Sequence, residues 1–190
     1  MSIQYKTATT SNTGTIDSAI VTSTASSITD IALTSSLSNA LIPTAFAPFT
    51  NLNRLRVTAK QKKVNLTANT KLESVIISKC NIEAISLPKH NTINHLDVSY
   101  NKHLTHIPPI QHIQHLNTTG ASIGALDVSN SPATQLNCRL MFNLKRLDVR
   151  GCKNQIRIRL TWNHGKCEII KDQGQVVQVE YTYEADHYYG

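Results

Sequence analysis

The sequence predicts a mainly β, irregular solenoid: a right-handed coil of about six or seven turns, closed by a C-terminal β-hairpin. Four observations carry that expectation. Leu96-Asp97-Val98-Ser99, Leu126-Asp127-Val128-Ser129 and Leu147-Asp148-Val149-Arg150 are near copies, each preceded three residues earlier by an aliphatic: Ile93, Ile123 and Leu144. The anchors Leu55, Val75, Leu96, Leu116, Leu136 and Ile156 recur at steps of 20, 21, 20, 20 and 20. A second series, Val64, Ile85, Ile107, Leu126 and Leu147, follows about half a period later at steps of 21, 22, 19 and 21. Finally, apolar residues recur at i and i+2 and then stop, which is the period of a short strand and not of a helix. Two flattened faces therefore share one aliphatic core, with Leu96 and Val98 inward and Asp97 outward.

Taken in order, residues 1–27 are dominated by Ser, Thr and Ala with almost no charge. They read as a flexible terminus or a capping segment in which Ile16, Ile20 and Ile28 begin the core, or as an arm that becomes ordered against a partner. Residues 28–158 hold the repeats. Residues 159–190 read as a hairpin cap and tail. Ile156, Ile158, Leu160 and Trp162 alternate, Asn163-His164-Gly165 offers a turn, and Val177, Val179, Tyr181 and Tyr183 alternate again. A cap is expected because an open solenoid end exposes a sheet edge and an apolar cross-section.

The L-x-x-L-x-L pattern of Leu52-Leu55-Val57 and Leu72-Val75-Ile77, with the Leu-Asp-Val-Ser segments, resembles the leucine-rich repeat family, closest to short bacterial-type repeats. The likeness covers about residues 28–158, and Ile42-Pro43-Thr44-Ala45-Phe46 followed by Phe49-Thr50-Asn51-Leu52 extends it. It implies a solenoid that binds other macromolecules and brings no catalytic residues. The family's inward asparagine, five after the strand leucine, is matched by Asn101. Cys80 and Cys152 stand there as weak donors, while Lys60, Ala121 and Met141 depart from the pattern.

Composition fits one narrow domain. The chain of 190 residues is 40% hydrophobic but only 5% aromatic, as expected of an aliphatic interior. Residues 1–50 carry only Lys6, Asp17 and Asp30, so +8 of charge falls on residues 51–190 against +7 for the whole chain. That excess comes without aromatic interleaving or a nucleic-acid motif, so it reads as a solvated surface or a patch for an acidic protein. Nucleic acid and small molecules are not expected partners. No stretch approaches the ~20 apolar residues of a membrane helix, so membrane insertion is not expected either. Nor do the first residues match a secretory signal, and the expected location is cytoplasmic or within an assembled virion.

Chemistry is sparse. Cys80, Cys138, Cys152 and Cys167 have no C-x-x-C pairing or zinc spacing. No phosphate loop, nucleophile elbow or H-E-x-x-H motif occurs. The protein is therefore expected not to be an enzyme and to use no cofactor. Six of eight histidines lie between residues 90 and 115. His95 and His115 precede equivalent leucines, which places them about 5 Å apart on neighbouring strands. No metal is expected; this pair supplies the only candidates, and the bland alternative is a solvent-facing column running Arg54, Ser74, His95, His115, Gln135. The expected binding face is Arg54, Arg56, His95, Asp97, His115 and Asn117. The function expected is a non-enzymatic structural or interaction component of a larger assembly, such as a decoration, tail or attachment protein of a phage or virus particle. A free-standing recognition module, such as a bacterial effector, is the alternative, for which His106-Ile107-Pro108-Pro109-Ile110 faintly resembles the proline-containing repeats.

Overall fold

The computed structural model describes residues 3–7, 11–14, 25–33, 44–161 and 167–182. The readings made on Ile16, Ile20, Ile42, Pro43, Trp162, the Asn163-His164-Gly165 turn and the tail from Tyr183 lie outside those residues. The chain coils into a parallel β-solenoid of about seven turns. Helix among the described residues is confined to a single 3-10 turn at Ala25–Ser27.

One face is a ten-stranded sheet. Its strands are β1 (Ile3–Thr7), β2 (Ser11–Gly14), β3 (Ile28–Leu33), β4 (Arg54–Val57), β6 (Ser74–Ile77), β8 (His95–Asp97), β9 (His115–Asn117), β11 (Gln135–Cys138), β13 (Ile156–Thr161) and β15 (Val177–Thr182). The other face holds β5 (Lys63–Asn65) beside β7 (Ala84–Ser86), then β10 (Ala125–Asp127), β12 (Arg146–Asp148) and β14 (Glu168–Ile170). From β3 to β15 every neighbouring pair is parallel, because each strand is reached by a full circuit of the coil. The anchors stack in register, Leu55 on Val75, Leu96, Leu116 and Leu136, and all five are essentially inaccessible to water.

Three expectations need correction. The final anchor is Ile158, not Ile156, since Leu136 pairs with Ile158. Two extra residues in that circuit move the register by an even number, which leaves the inward face unchanged. The second series breaks at Ile107, which lies outside any strand. Pro108 and Pro109 follow it, and neither has an N–H for a ladder. Third, the described C-terminal strands do not pair as a hairpin. β13 pairs in parallel with β15, and β12 pairs in parallel with β14, so these strands continue the two stacked faces. The alternation was correctly read as strands, but alternation carries no information on direction. The antiparallel hairpin stands at the opposite end, where β1 pairs with β2 and with β3. Part of the 1–27 segment therefore joins its own sheet as a cap.

Six strands, β6, β8, β9, β10, β11 and β12, turn at the same left-handed corner. Lys79, Tyr100, Gly120, Asn130, Leu140 and Gly151, each four residues after a strand anchor, all have φ between 54° and 69°. Their amides keep the rungs between coils: Tyr100 N–H donates to Thr119 C=O at 2.6 Å, and Gly120 N–H donates to Arg139 C=O at 2.9 Å. Left-handed backbone is costly for a side chain with a Cβ, by about 1–2 kcal/mol. Leu140 bears that strain at φ 54° where the coil before it uses Gly120. Leu140→Gly should therefore raise stability by about 0.5–1 kcal/mol, strain relief being partly offset by unfolded-state entropy. A thermal melt should rise by about 2 °C. A lower midpoint would mean that the Leu140 side chain contributes more than its backbone strain removes.

Inward polar groups close the interior. The Asn101 Nδ2 donates to Ile77 C=O at 2.7 Å and Val98 C=O at 2.9 Å, and its Oδ1 accepts from the amides of Cys80 and Ile82, both at 3.1 Å. At the equivalent positions thiols do the reaching. Cys80 Sγ donates to Val57 C=O at 3.0 Å, and Cys152 Sγ donates to Val128 C=O at 3.2 Å. Burial pushes the Cys80 thiol up to about 12, which keeps it protonated as a donor.

Candidate functional site

The strand sequences decide which side chains reach solvent from the ten-stranded sheet. With period two, inward anchors leave two outward columns. The first runs Asp30, Arg54, Ser74, His95, His115, Gln135, Arg157 and Gln178. The second runs Ala32, Arg56, Ile76, Asp97, Asn117, Asn137, Arg159 and Glu180. All six residues expected to form the binding face lie in these columns. They are not one cluster, however. Arg54 and Arg56 sit on β4 with Ser74 and Ile76 between them and the histidines.

The clustered part is a concavity of about 160 Å³ lined by His95, Asp97, His115, Asn117, Gln135, Asn137, Arg157 and Arg159. The His95 and His115 ring centroids are 6.1 Å apart, tilted by 54°. Burial and the neighbouring His115 hold the His95 imidazolium below its ordinary range, with Asp97 opposing them. His115 Nδ1 is closed off from solvent and has no hydrogen-bond partner. At the far wall, Arg157 and Arg159 each donate to the Glu180 carboxylate, at 3.1 and 3.0 Å. Exposed pairs of this kind add little stability, but they fix where the two guanidinium groups stand. Arg54 lies 4.0 Å from Asp30 in the same way.

Asp97 and Asn117 have a second role that their position in the repeat explains. Asp97 Oδ1 accepts the Ser99 N–H at 2.9 Å, and Asn117 Oδ1 accepts the Thr119 N–H at 3.2 Å. Asp127 and Asp148 do the same for Ser129 and Arg150 on the opposite face. The repeated aspartate is thus an Asx turn that ends each strand before its left-handed corner. Asn117 Nδ2 also donates to Asp97 Oδ2 at 3.0 Å, tying two coils together. On the opposite face Asp148 is buried between Arg146 and Arg150, and the Arg150 hydrogen bond foremost holds its carboxyl below the usual range.

Asn137, Arg157, Arg159 and Glu180 were not anticipated as part of this face. Their signal was present in the alternation Ile156-Arg157-Ile158-Arg159-Leu160, but reading that stretch as a hairpin ended the columns too early. The remaining histidines of the cluster, His90, His103, His106 and His112, are exposed outside the two columns. Cys80, Cys138, Cys152 and Cys167 are free thiols, the first three buried, and burial pushes Cys138 up to about 12. No helix among the described residues is long and apolar enough to cross a membrane. No protein-family description matches the chain, and neither curated proteins nor solved structures give a significant match.

Proposed function

We propose that the protein is a non-enzymatic interaction component of a larger assembly, docking through the outward face of its ten-stranded sheet. The observation that supports this most is the pair of registered outward columns running from β3 to β15, the first polar at every strand and the second polar from β8 onward. A repeat that places a new polar side chain every strand spacing of about 4.8 Å builds an extended surface, suited to a macromolecule and poorly suited to excluding water around a reacting group. Basic groups at both ends of the face, Arg54 and Arg56, then Arg157 and Arg159, favour a partner with acidic patches. The inward leucines and the bonding of Asn101 to five backbone groups favour a leucine-rich-repeat type of solenoid. A particle such as a virion is the setting we propose, with a free-standing recognition module as the alternative use of the same face.

Arg54, Arg56 and His115 are the residues to change, because Asp97 and Asn117 also end their strands. Surface substitutions typically stay within ~0.5 kcal/mol, so the triple alanine variant should melt almost as the parent does. From its native source the parent should co-purify with a larger particle in fixed stoichiometry, and the variant should not. Normal incorporation of the variant would remove the sheet face from the interface. A parent chain that always purifies alone would favour the free-standing module.

A further inference from the structure

We infer that His95 and His115 form a binding site for a divalent transition-metal ion, with copper(II) held more tightly than zinc(II), on the outer face of the ten-stranded sheet. This goes beyond the docking role proposed above and does not depend on it. The two residues occupy one register position on adjacent parallel strands, β8 and β9, so the fold and not a flexible loop sets their spacing. A metal–nitrogen bond of about 2.1 Å puts an imidazole centroid about 3.2 Å from the ion, so two rings on one ion have centroids at most about 6.4 Å apart. The observed 6.1 Å falls inside that limit. It corresponds to a wide N–metal–N angle, and a tetrahedral zinc would need the rings to approach to about 5.2 Å. Copper(II) stands highest among these ions for nitrogen ligands.

The surroundings point the same way. In the first column the pair is flanked by Ser74 and Gln135, neither of which is charged. In the second column Asp97 stands beside it and supplies a negative potential. The two arginines of the same concavity are held by Glu180. No protein hydrogen bond competes for His115 Nδ1. Among the described residues no group of three His, Cys, Asp or Glu side chains is placed to hold an ion. Asp97 is already engaged by Ser99 N–H and Asn117 Nδ2. It contributes charge here, and the ion's remaining positions go to water or to a group on a docked partner.

The test uses the full, untagged chain titrated with copper(II) and, separately, zinc(II) by calorimetry and equilibrium dialysis. One saturable copper(II) per chain is expected, with zinc(II) weaker. His95→Gln and His115→Gln should each weaken copper binding by about tenfold or more, while His103→Gln, at an exposed position away from the pair, should not. Circular dichroism of each variant checks that the coil is intact, and the copper spectrum of the parent should show coupling to two imidazole nitrogens. Equal affinity in the parent and either paired variant, or the absence of a saturable site in the parent, would overturn the assignment.

Discussion

Leu96→Asp should abolish the cooperative fold of the central coils. Leu96 is fully buried, stacked between Val75 and Leu116 in the one continuous core. A carboxylate placed there has no partner among aliphatic neighbours, so it must either remain ionised at very high cost or take up a proton. Even the neutral acid, without hydrogen bonds, is worse than leucine by several kcal/mol. Domains of this size are stable by only about 5–15 kcal/mol in total. In a solenoid each coil rests on its neighbours, so the loss spreads along the stack instead of staying at one site. We expect the variant to lose its β-sheet circular dichroism signal or its sharp melt, with amide protection lost first around β6, β8 and β9. Leu96→Met, which preserves volume and polarity, should cost less than about 1.5 kcal/mol. A Leu96→Asp chain that melts like the parent would mean that the anchors do not face a shared interior.

What could be read in the sequence was whatever the repeat enforces at every turn. The inward leucines, the two-faced coil and the stacking of His95 on His115 all follow from one period near 20 and one alternation of two. Departures from the repeat were less legible. A proline pair removes a strand at Ile107, a local effect that the residues carry and the period alone does not. Strand direction at the C-terminus could not be read, because Val177-Gln178-Val179-Glu180-Tyr181 alternates identically whether it pairs parallel or antiparallel. The role of the repeated aspartate was hidden for a different reason. Its carboxylate faces outward, as expected, yet bends back to its own chain two residues on. Outward position was therefore equated with availability, and Asp97 and Asn117 were assigned wholly to binding when much of their hydrogen-bonding capacity is spent on the turn.

Removing the amide at position 101 should be the most destabilising change that alters no charge and little volume. Asn101 is fully buried, and its single amide joins five backbone groups from two coils: the N–H of Cys80 and Ile82, and the C=O of Ile77, Val98 and, at a longer 3.3 Å, Ser99. In Asn101→Leu all five lose that partner, and each buried orphan typically costs about 1–3 kcal/mol. Relaxation and shared partners keep the total below the sum, so about 3–5 kcal/mol is expected, a large share of the whole stability. Cys80→Ala offers the matched comparison one coil earlier. Its thiol donates only to Val57 C=O and Ser78 C=O, and a thiol is a weak donor, so about 1–2 kcal/mol should be lost, partly through the small cavity left behind. Urea unfolding of both variants measures the contrast, and hydrogen exchange locates it, since Cys80 and Ile82 amides should lose protection in Asn101→Leu before those of β12 and β14 do. Equal losses in the two variants would show that the asparagine acts as filler and that the coil-to-coil bonds do not depend on its amide.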